Sequence, residues 1–175
     1  MKLANKHIAY LVEEGFEDLE FWVPVMRLRE EGARVTVVGT GSKASYRGKH
    51  CLEAKPDTVA NQVSADDFDG LVVPGGWAPD KLRRYPAVLE LVRGVQEQGK
   101  ILAAICHAGS VLISAGVVAG HRVTGSKGIK DDLVNAGGVW VDEPAFRDGN
   151  QVWGRVVEDI PAFCRELVKA LAGEA

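Results

Sequence analysis

The chain has 175 residues, which is enough for one domain to bury a full hydrophobic core without disulfides or a structural metal. It carries 21 basic and 24 acidic residues, a net charge of −3, with no long run of either sign. This balance argues against a nucleic-acid groove and against binding to an anionic membrane surface. We therefore predict a single domain over residues 1–175 whose partner is a small molecule, a peptide or a second copy of the chain.

The sequence also lacks the signals of membrane and exported proteins. No apolar run approaches the roughly 20 residues that span a bilayer. The first segment, MKLANKHIAYLVEEG, leads into glutamates instead of a small-residue cleavage site, so we interpret it as a buried strand and not as a signal peptide. We expect a cytoplasmic location and no membrane partner.

The cysteines and histidines form no ligand or disulfide pattern. Cys51, Cys106 and Cys164 are an odd number, lie far apart and include no C-x-x-C pair. The four histidines lack the short paired spacing of metal ligands on a helix. We predict no disulfide framework, no metal and no cofactor, and a reducing compartment suits the free thiols.

The first third of the chain alternates strands with a helix. Residues 7–12 (HIAYLV) form a continuous apolar run, which is typical of a parallel strand covered on both faces. A helix begins at Asp18, with acidic residues in its first turn, and ends at Gly32. Residues 35–38 (VTVV) then form a second strand after a crossover of the right length. Residues 39–54 are compatible with a small hairpin.

The rest of the chain continues this alternation. We predict two buried strands, at 68–73 and 100–105, and weaker strands near Val123, 139–141 and Val152. We predict helices in the region from Pro79 to residue 98, which Pro86 splits, and at 108–115 (buried), 129–136 and 160–171. The pattern predicts an α/β fold with a mostly parallel, doubly wound sheet, in which ligands bind beyond the carboxyl ends of the strands. Three segments meet at that edge: EEGFEDLE, PGGWAPD and CHAGS.

Cys106 is the strongest candidate for chemistry. It follows a buried strand that must turn abruptly into a helix, a geometry that lifts a side chain out of the sheet and directs backbone amides at it. We expect a lowered thiol pKa and a reactive thiolate, and we expect Cys106 to be the only fast-reacting thiol. The alternative is that Cys106 is a small buried hydrophobic residue, since cysteine is among the most buried residue types.

Acidic and glycine residues at the same edge are further candidates. Glu17 and Glu20 lie on one face at the start of the first helix, where either could hydrogen-bond the sulfur or carry a proton; acidic residues also occur there simply because of the helix dipole. Gly75 and Gly76 leave a strand without side chains, so their amides could form an oxyanion hole. An ordinary tight turn is the alternative.

Three more residues have both a functional and a structural interpretation. His107 is a candidate acid or base next to Cys106, although adjacent side chains at a sharp turn usually diverge, and a structural or interface histidine is the alternative. Asp80 is placed to act near the rim of the site or merely to cap a helix. Trp77 suits a contact surface between subunits, or local packing.

Several segments match one known family in the same order along the chain. They are FEDLE (16–20), FDGLVVPGGWAPD (68–80), AAICHAG (103–109), LISAGV (112–117), GIKDDLVNAG (128–137) and DGN (148–150). With these segments the sequence resembles the PfpI intracellular-protease family, in the superfamily of the parkinsonism-associated deglycase and the class I glutamine amidotransferase domains. The resemblance spans nearly the whole chain, and the combination is far more specific than any single motif.

The resemblance implies a flavodoxin-like three-layer sandwich and an oligomer. It implies Cys106 as nucleophile with His107 beside it, a glutamate of FEDLE on the thiol, and Asp80 reaching the site of a neighbouring subunit. Ser126 stands where relatives often have an aromatic residue or histidine in the pocket, and of a C-terminal Ser-Arg-x-Pro-like segment only Arg155 is retained. Ala108 and Gly109 replace the common glycine and proline after the histidine.

The leading hypothesis for function is attack of Cys106 on a small reactive carbonyl. The resemblance implies methylglyoxal or glyoxal, or early glycation adducts, with lactate or glycolate as products. The alternatives are peptide hydrolysis through an acyl-enzyme and a non-catalytic redox-sensing or chaperone-like stress protein in which Cys106 is oxidised. Glutamine amidotransfer is disfavoured because no histidine follows His121.

Overall fold

A seven-stranded sheet forms the centre of the computed structural model, which describes residues 1–174. The strands of this sheet are β1 (His7–Leu11), β2 (Arg34–Gly39), β5 (Thr58–Val59), β6 (Gly70–Val73), β7 (Ile101–Ile105), β10 (Ala145–Asp148) and β11 (Gln151–Gly154). Their order across the sheet is β10-β11-β7-β6-β1-β2-β5. All neighbouring pairs are parallel except β10 with β11. The mostly parallel, doubly wound sheet predicted from the sequence is confirmed.

Helices cover both faces of this sheet, which makes the three-layer sandwich. They are α1 (Asp18–Glu30), α2 (Ala78–Leu82), α3 (Pro86–Glu97), α4 (Gly109–Ala115), α5 (Lys130–Asn135) and α6 (Ile160–Ala172). Helices α1 and α6 pack together on one face, while α4 packs against both α2 and α3 on the other. Within residues 1–174 no helix is long and apolar enough to cross a membrane.

The predicted and the observed secondary structure differ most in the short strands. The expected hairpin forms from β3 (Tyr46–Arg47) and β4 (Glu53–Ala54), whereas the weak strands β8 (Arg122–Val123) and β9 (Val139–Trp140) pair with each other outside the main sheet. Strands β5 and β10 were not predicted. Two to four residues with polar members carry too little hydrophobic alternation to indicate a strand, so tertiary pairing decides them.

The core explains why the central strands and α1 lie where they do. Strands β6 and β7 are buried along their whole length, as expected for strands covered on both faces. Helix α1 is anchored by an aromatic cluster in which Phe21 lies 5.1 Å from Tyr10 and 4.9 Å from Phe16 between ring centroids. Each such fully buried ring stabilises the fold by about 1.5 to 3 kcal/mol. This packing holds the start of α1 over the carboxyl end of β1.

Candidate active site

Cys106 lies at the predicted turn between strand β7 and helix α4. Residues Cys106–Ala108 form a single 3₁₀ turn, and Cys106 itself has a φ of +61°. Positive φ is uncommon outside glycine and costs on the order of 1 to 3 kcal/mol, so the surrounding structure must hold this conformation. The turn leaves the thiol half-buried at the carboxyl edge of the sheet.

The buried carboxyl group at this edge belongs to Glu20, whose side chain is 0% exposed. Its Oε2 accepts a 2.8 Å hydrogen bond from the Gly75 amide, and the Tyr10 hydroxyl donates to its backbone oxygen at 2.5 Å. Within residues 1–174 its Oε1 has no partner at ordinary hydrogen-bond geometry. Burial raises the pKa of Glu20 to about 8, so the group is protonated at neutral pH.

Glu20 and Cys106 form one coupled pair. Burial, followed by repulsion from an ionised Glu20, raises the pKa of the thiol to about 12. The expectation of a lowered thiol pKa is therefore wrong, because burial, the largest cause, raises the pKa whether or not Glu20 is ionised. At neutral pH Glu20 keeps its proton, so this repulsion is absent and the acid O–H can donate to the sulfur. The pair thus accepts one negative charge far more readily than two.

Two backbone amides point at the sulfur, those of Gly76 and His107, and both favour its ionised form. Gly76 has a φ of +77°, and a side chain there would collide with the backbone of the segment before α1, to which Gly76 is bridged at Phe16. The predicted oxyanion role of Gly75 is corrected, because its amide is already bonded to Glu20. Its lack of a side chain instead makes room for the pair, since a Cβ there would lie 2.8 Å from the Cβ of Cys106.

The imidazole of His107 is in contact with the thiol instead of diverging from it. Its Nδ1 lies 3.4 Å from the sulfur of Cys106. Burial lowers the pKa of His107, and the nearby ammonium of Lys49 lowers it further. The ring is therefore neutral at pH 7 and able to accept a proton.

Glu17 lies beside the Glu20–Cys106 pair, but its carboxylate faces Lys49. Its carboxylate pairs with the Lys49 ammonium at 3.2 Å and lies 3.8 Å from the His50 ring. The structure therefore distinguishes the two glutamates that the sequence left open, since Glu20 is buried beside Cys106 and Glu17 pairs with Lys49. Sequence analysis missed Lys49, because a lysine in a polar hairpin carries no pattern that would single it out.

Asp80 and Trp77 lie at the rim, on the loop and helix that follow Gly76. Together with His107 they line a cleft of about 500 Å³. Trp77 is 64% exposed, and the Asp80 carboxylate is exposed and bonds to Arg84, which follows the end of α2. Within its own chain Asp80 is thus paired with Arg84 and does not orient His107.

Ser126 and Arg155 line a neighbouring cleft of about 480 Å³. The Ser126 amide donates to the backbone oxygen of Cys106 at 3.1 Å, which ties this loop to the turn. The Arg155 guanidinium bonds to Asp142 and Asp159, each at 2.9 Å, so its charge is already paired. A cavity of about 700 Å³ lies around His7 at the opposite, amino edge of the strands, away from the thiol.

The other two thiols differ in accessibility. Cys164 is buried in α6, and its burial raises its pKa to about 11. Cys51 is exposed in the hairpin. Exposure makes Cys51 accessible to reagents, and the expectation that Cys106 is the only fast-reacting thiol stays a prediction. Among residues 1–174 no group of three His, Cys, Asp or Glu side chains is placed to hold a metal ion.

A doubly wound sheet with a cysteine on a strained turn and a buried glutamate against its sulfur defines a class of α/β proteins with a cysteine-centred site. Comparison with known proteins shows which family within this class the chain belongs to. The model of the DJ-1/PfpI family matches residues 6–170. The chain belongs to this family, as its motifs predicted.

Three similar proteins illustrate the range of the family. A protein named deglycase PfpI from Pyrococcus furiosus is 42% identical over 164 residues, which cover 94% of this chain and 98% of that protein. A protein named putative cysteine protease YraA from Bacillus subtilis is 36% identical over 95% of this chain and 99% of its own length. The crystal structure of Drosophila melanogaster DJ-1beta superposes with a TM-score of 0.89 at 31% identity, covering 97% of this chain and 91% of that chain.

Proposed function

We propose that this protein is a cofactor-independent enzyme in which Cys106 attacks small reactive carbonyls, with methylglyoxal, glyoxal and early glycation adducts as the substrate class. The observation that carries the proposal is the Glu20–Cys106 pair. A buried carboxylic acid with a pKa of about 8 is a proton carrier at neutral pH, and it lies against the sulfur. The deglycase name of a relative 42% identical supports the same chemistry.

The first half of the reaction forms a hemithioacetal. The neutral His107 takes the thiol proton, and the thiolate is held by the Glu20 O–H and by the amides of Gly76 and His107. Sulfur then bonds to the aldehyde carbon, and Glu20 gives its proton to the oxygen. The two amides stabilise the oxygen while it carries charge.

The second half is an internal redox step that needs no external oxidant. The Glu20 carboxylate removes the hydrogen on the aldehyde carbon, while the adjacent ketone oxygen takes the proton from His107, which gives an enediol. Glu20 returns its proton to the former ketone carbon, while the hydroxyl proton on the sulfur-bearing carbon passes to the neutral His107, which later returns it to the sulfur when the thioester is hydrolysed. The aldehyde carbon is thereby oxidised to a thioester and the ketone reduced to an alcohol. Water hydrolyses the thioester, which releases lactate and restores the thiol.

Peptide hydrolysis is the second candidate. It is favoured by the name of the Bacillus subtilis relative and by the Cys106–His107 contact, which suits acyl transfer. The third candidate is redox sensing, which would use the same thiol without turnover. The exposed free thiol of Cys51 suits a reducing compartment such as the cytoplasm, which we retain as the proposed location.

Turnover assays separate these three functions. We expect the purified protein to release many equivalents of D- or L-lactate from methylglyoxal, measured by enzymatic lactate detection, and much less product from fluorogenic peptides. Peptide cleavage without lactate would overturn the carbonyl proposal. Stoichiometric oxidation of Cys106 without multiple turnovers would also contradict it and would favour the redox sensor.

We also propose that the active form is a homo-oligomer with sites shared between chains. Asp80 and Trp77 are exposed at the rim of the cleft that His107 lines, and Asp80 has no contact with His107 in its own chain. A carboxylate from a neighbour would orient the imidazole and stabilise its protonated form. The exposed Trp77 ring is an aromatic anchor for such a contact.

Mixing inactive subunits tests this arrangement. We expect Asp80→Ala and Cys106→Ala each to be inactive alone and to regain up to about a quarter of wild-type activity when mixed as dimers, from random pairing of one intact site. Subunit exchange is confirmed by native mass spectrometry on differently tagged chains. A mixture that exchanges fully and stays inactive would rule out a carboxylate supplied by the neighbour.

A further inference from the structure

The hairpin between β3 and β4 places one cation at the mouth of the Cys106 site. The Lys49 ammonium lies 3.2 Å from the Glu17 carboxylate and 5.5 Å from the centroid of the Trp77 ring. Its side chain is 31% exposed. Glu17 belongs to the same turn as Glu20, and Trp77 lines the same cleft as His107. Lys49 thus lies at the entrance through which a substrate reaches the sulfur.

Buried hydrogen bonds hold this lysine in position. The carboxylate of Asp18, which is 2% exposed, accepts from the amides of His50 and Leu52 at 2.8 Å each. The amide of Lys49 itself donates to the Phe16 backbone oxygen at 2.9 Å. The tip of the hairpin is therefore fastened to the first turn of α1, the turn that also supplies both glutamates.

The surrounding charges leave Lys49 available for an anion. An ammonium has three donors, and the Glu17 carboxylate is its one ion-pair partner among residues 1–174. Lys81 and Arg83 line the cleft itself, and each bonds to a neutral oxygen, Lys81 to the Glu14 backbone oxygen and Arg83 to the Ser114 hydroxyl. The field of Lys49 reaches both Glu20 and His107, which places it within electrostatic range of the reacting groups.

We propose that Lys49 is a specificity-determining residue that binds a carboxylate on the carbonyl substrate, so that the site favours carbonyl compounds with an adjacent carboxylate. This inference rests on the proposed function, because it names the substrate class of the same site. The Lys49 ammonium offsets the negative charge of Glu17 and of the Glu20–Cys106 pair, which would otherwise oppose the approach of an anion. The substrate carboxylate pairs with the ammonium while the carbonyl carbon approaches the sulfur.

Two alkylating reagents of nearly equal size test whether Lys49 attracts anions to the site. Iodoacetate carries a carboxylate and iodoacetamide is neutral, so the ratio of their rates at Cys106 measures attraction of anions to the site. In a Cys51→Ser background, we expect Lys49→Gln to lower this ratio about 5- to 10-fold, as removal of one charge within several ångströms predicts. The rate is followed by mass spectrometry of the Cys106 peptide. Lys49→Arg should keep the ratio within about twofold, because it keeps the charge.

Lys43→Gln is the matched control. Lys43 is an exposed lysine near the same hairpin and pairs with Glu14 at 3.2 Å, away from the sulfur. We expect Lys43→Gln to leave the ratio of the iodoacetate rate to the iodoacetamide rate unchanged. An unchanged ratio in Lys49→Gln, or an equal fall in Lys43→Gln, would overturn the proposal. Because alkylation needs no turnover, a failed methylglyoxal assay would count against the proposed function and not against this result.

Discussion

Replacing Cys106 with serine should lower lactate formation from methylglyoxal at least about 1,000-fold, because an alcohol is a far weaker nucleophile than a thiolate. The free energy of unfolding should change by less than about 1 kcal/mol, since serine is close to cysteine in volume and keeps the same backbone. The measurement combines steady-state kinetics with urea denaturation. Loss of activity with a native transition assigns the effect to chemistry and not to folding.

Cys51→Ser is the control for this result. Cys51 is exposed in the hairpin and has a φ of +70°, so it resembles Cys106 in being a cysteine with positive φ but lacks the buried glutamate. We expect wild-type turnover from this variant. If Cys106→Ser retained more than about a tenth of the activity, or if Cys51→Ser lost it, the assignment of the nucleophile would be wrong.

Replacing Glu20 with glutamine should lower turnover by about 100- to 10,000-fold, the range that a positioned proton carrier contributes. Glutamine keeps the shape and can still accept from the Gly75 amide, but it has no proton to transfer. It also replaces an acid O–H with a weaker amide donor toward the thiolate. We therefore expect the midpoint of Cys106 alkylation against pH to move upward, measured with iodoacetamide in a Cys51→Ser background.

The same residue gives a pH dependence of stability with a defined sign. Burial raises the pKa of Glu20 from 4.5 to about 8, so between these values the folded chain holds a proton that the unfolded chain has lost. The stabilisation is complete below pH 4.5 and is lost as pH rises to about 8. Urea denaturation at pH 5 and pH 8.5 should show a loss of a few kcal/mol in the wild type and a smaller loss in Glu20→Gln.

Glu17→Gln is the matched control for both measurements. Glu17 is also a buried glutamate at the start of α1, but it pairs with Lys49 and does not contact the sulfur. We expect its alkylation midpoint to stay closer to the wild type than that of Glu20→Gln. If Glu17→Gln shifted the midpoint more, or if neither variant changed turnover, the proton-transfer role of Glu20 would be refuted.

Much of this architecture was predictable because its signals are local. Apolar runs such as residues 7–12 and 100–105 indicate strands that are buried on both faces, whatever their neighbours. The change from the second of these runs to a helix places Cys106 at a turn on the carboxyl edge of the sheet. The family motifs then add His107 and the FEDLE glutamates. Short strands such as β5 and β10 escaped prediction because they depend on a partner strand for their existence.

The finer features of the site depend on how separate segments pack. Sequence by itself determined the fold class, the family and the cysteine at the turn, because hydrophobic periodicity and motif order are properties of neighbouring residues. Only the tertiary structure decided that Glu20 is buried beside Cys106 while Glu17 pairs with Lys49, and that the Gly75 amide donates to the Glu20 carboxyl group. These contacts join residues up to 86 positions apart, from Glu20 to Cys106, and their energies depend on a burial that no local pattern contains.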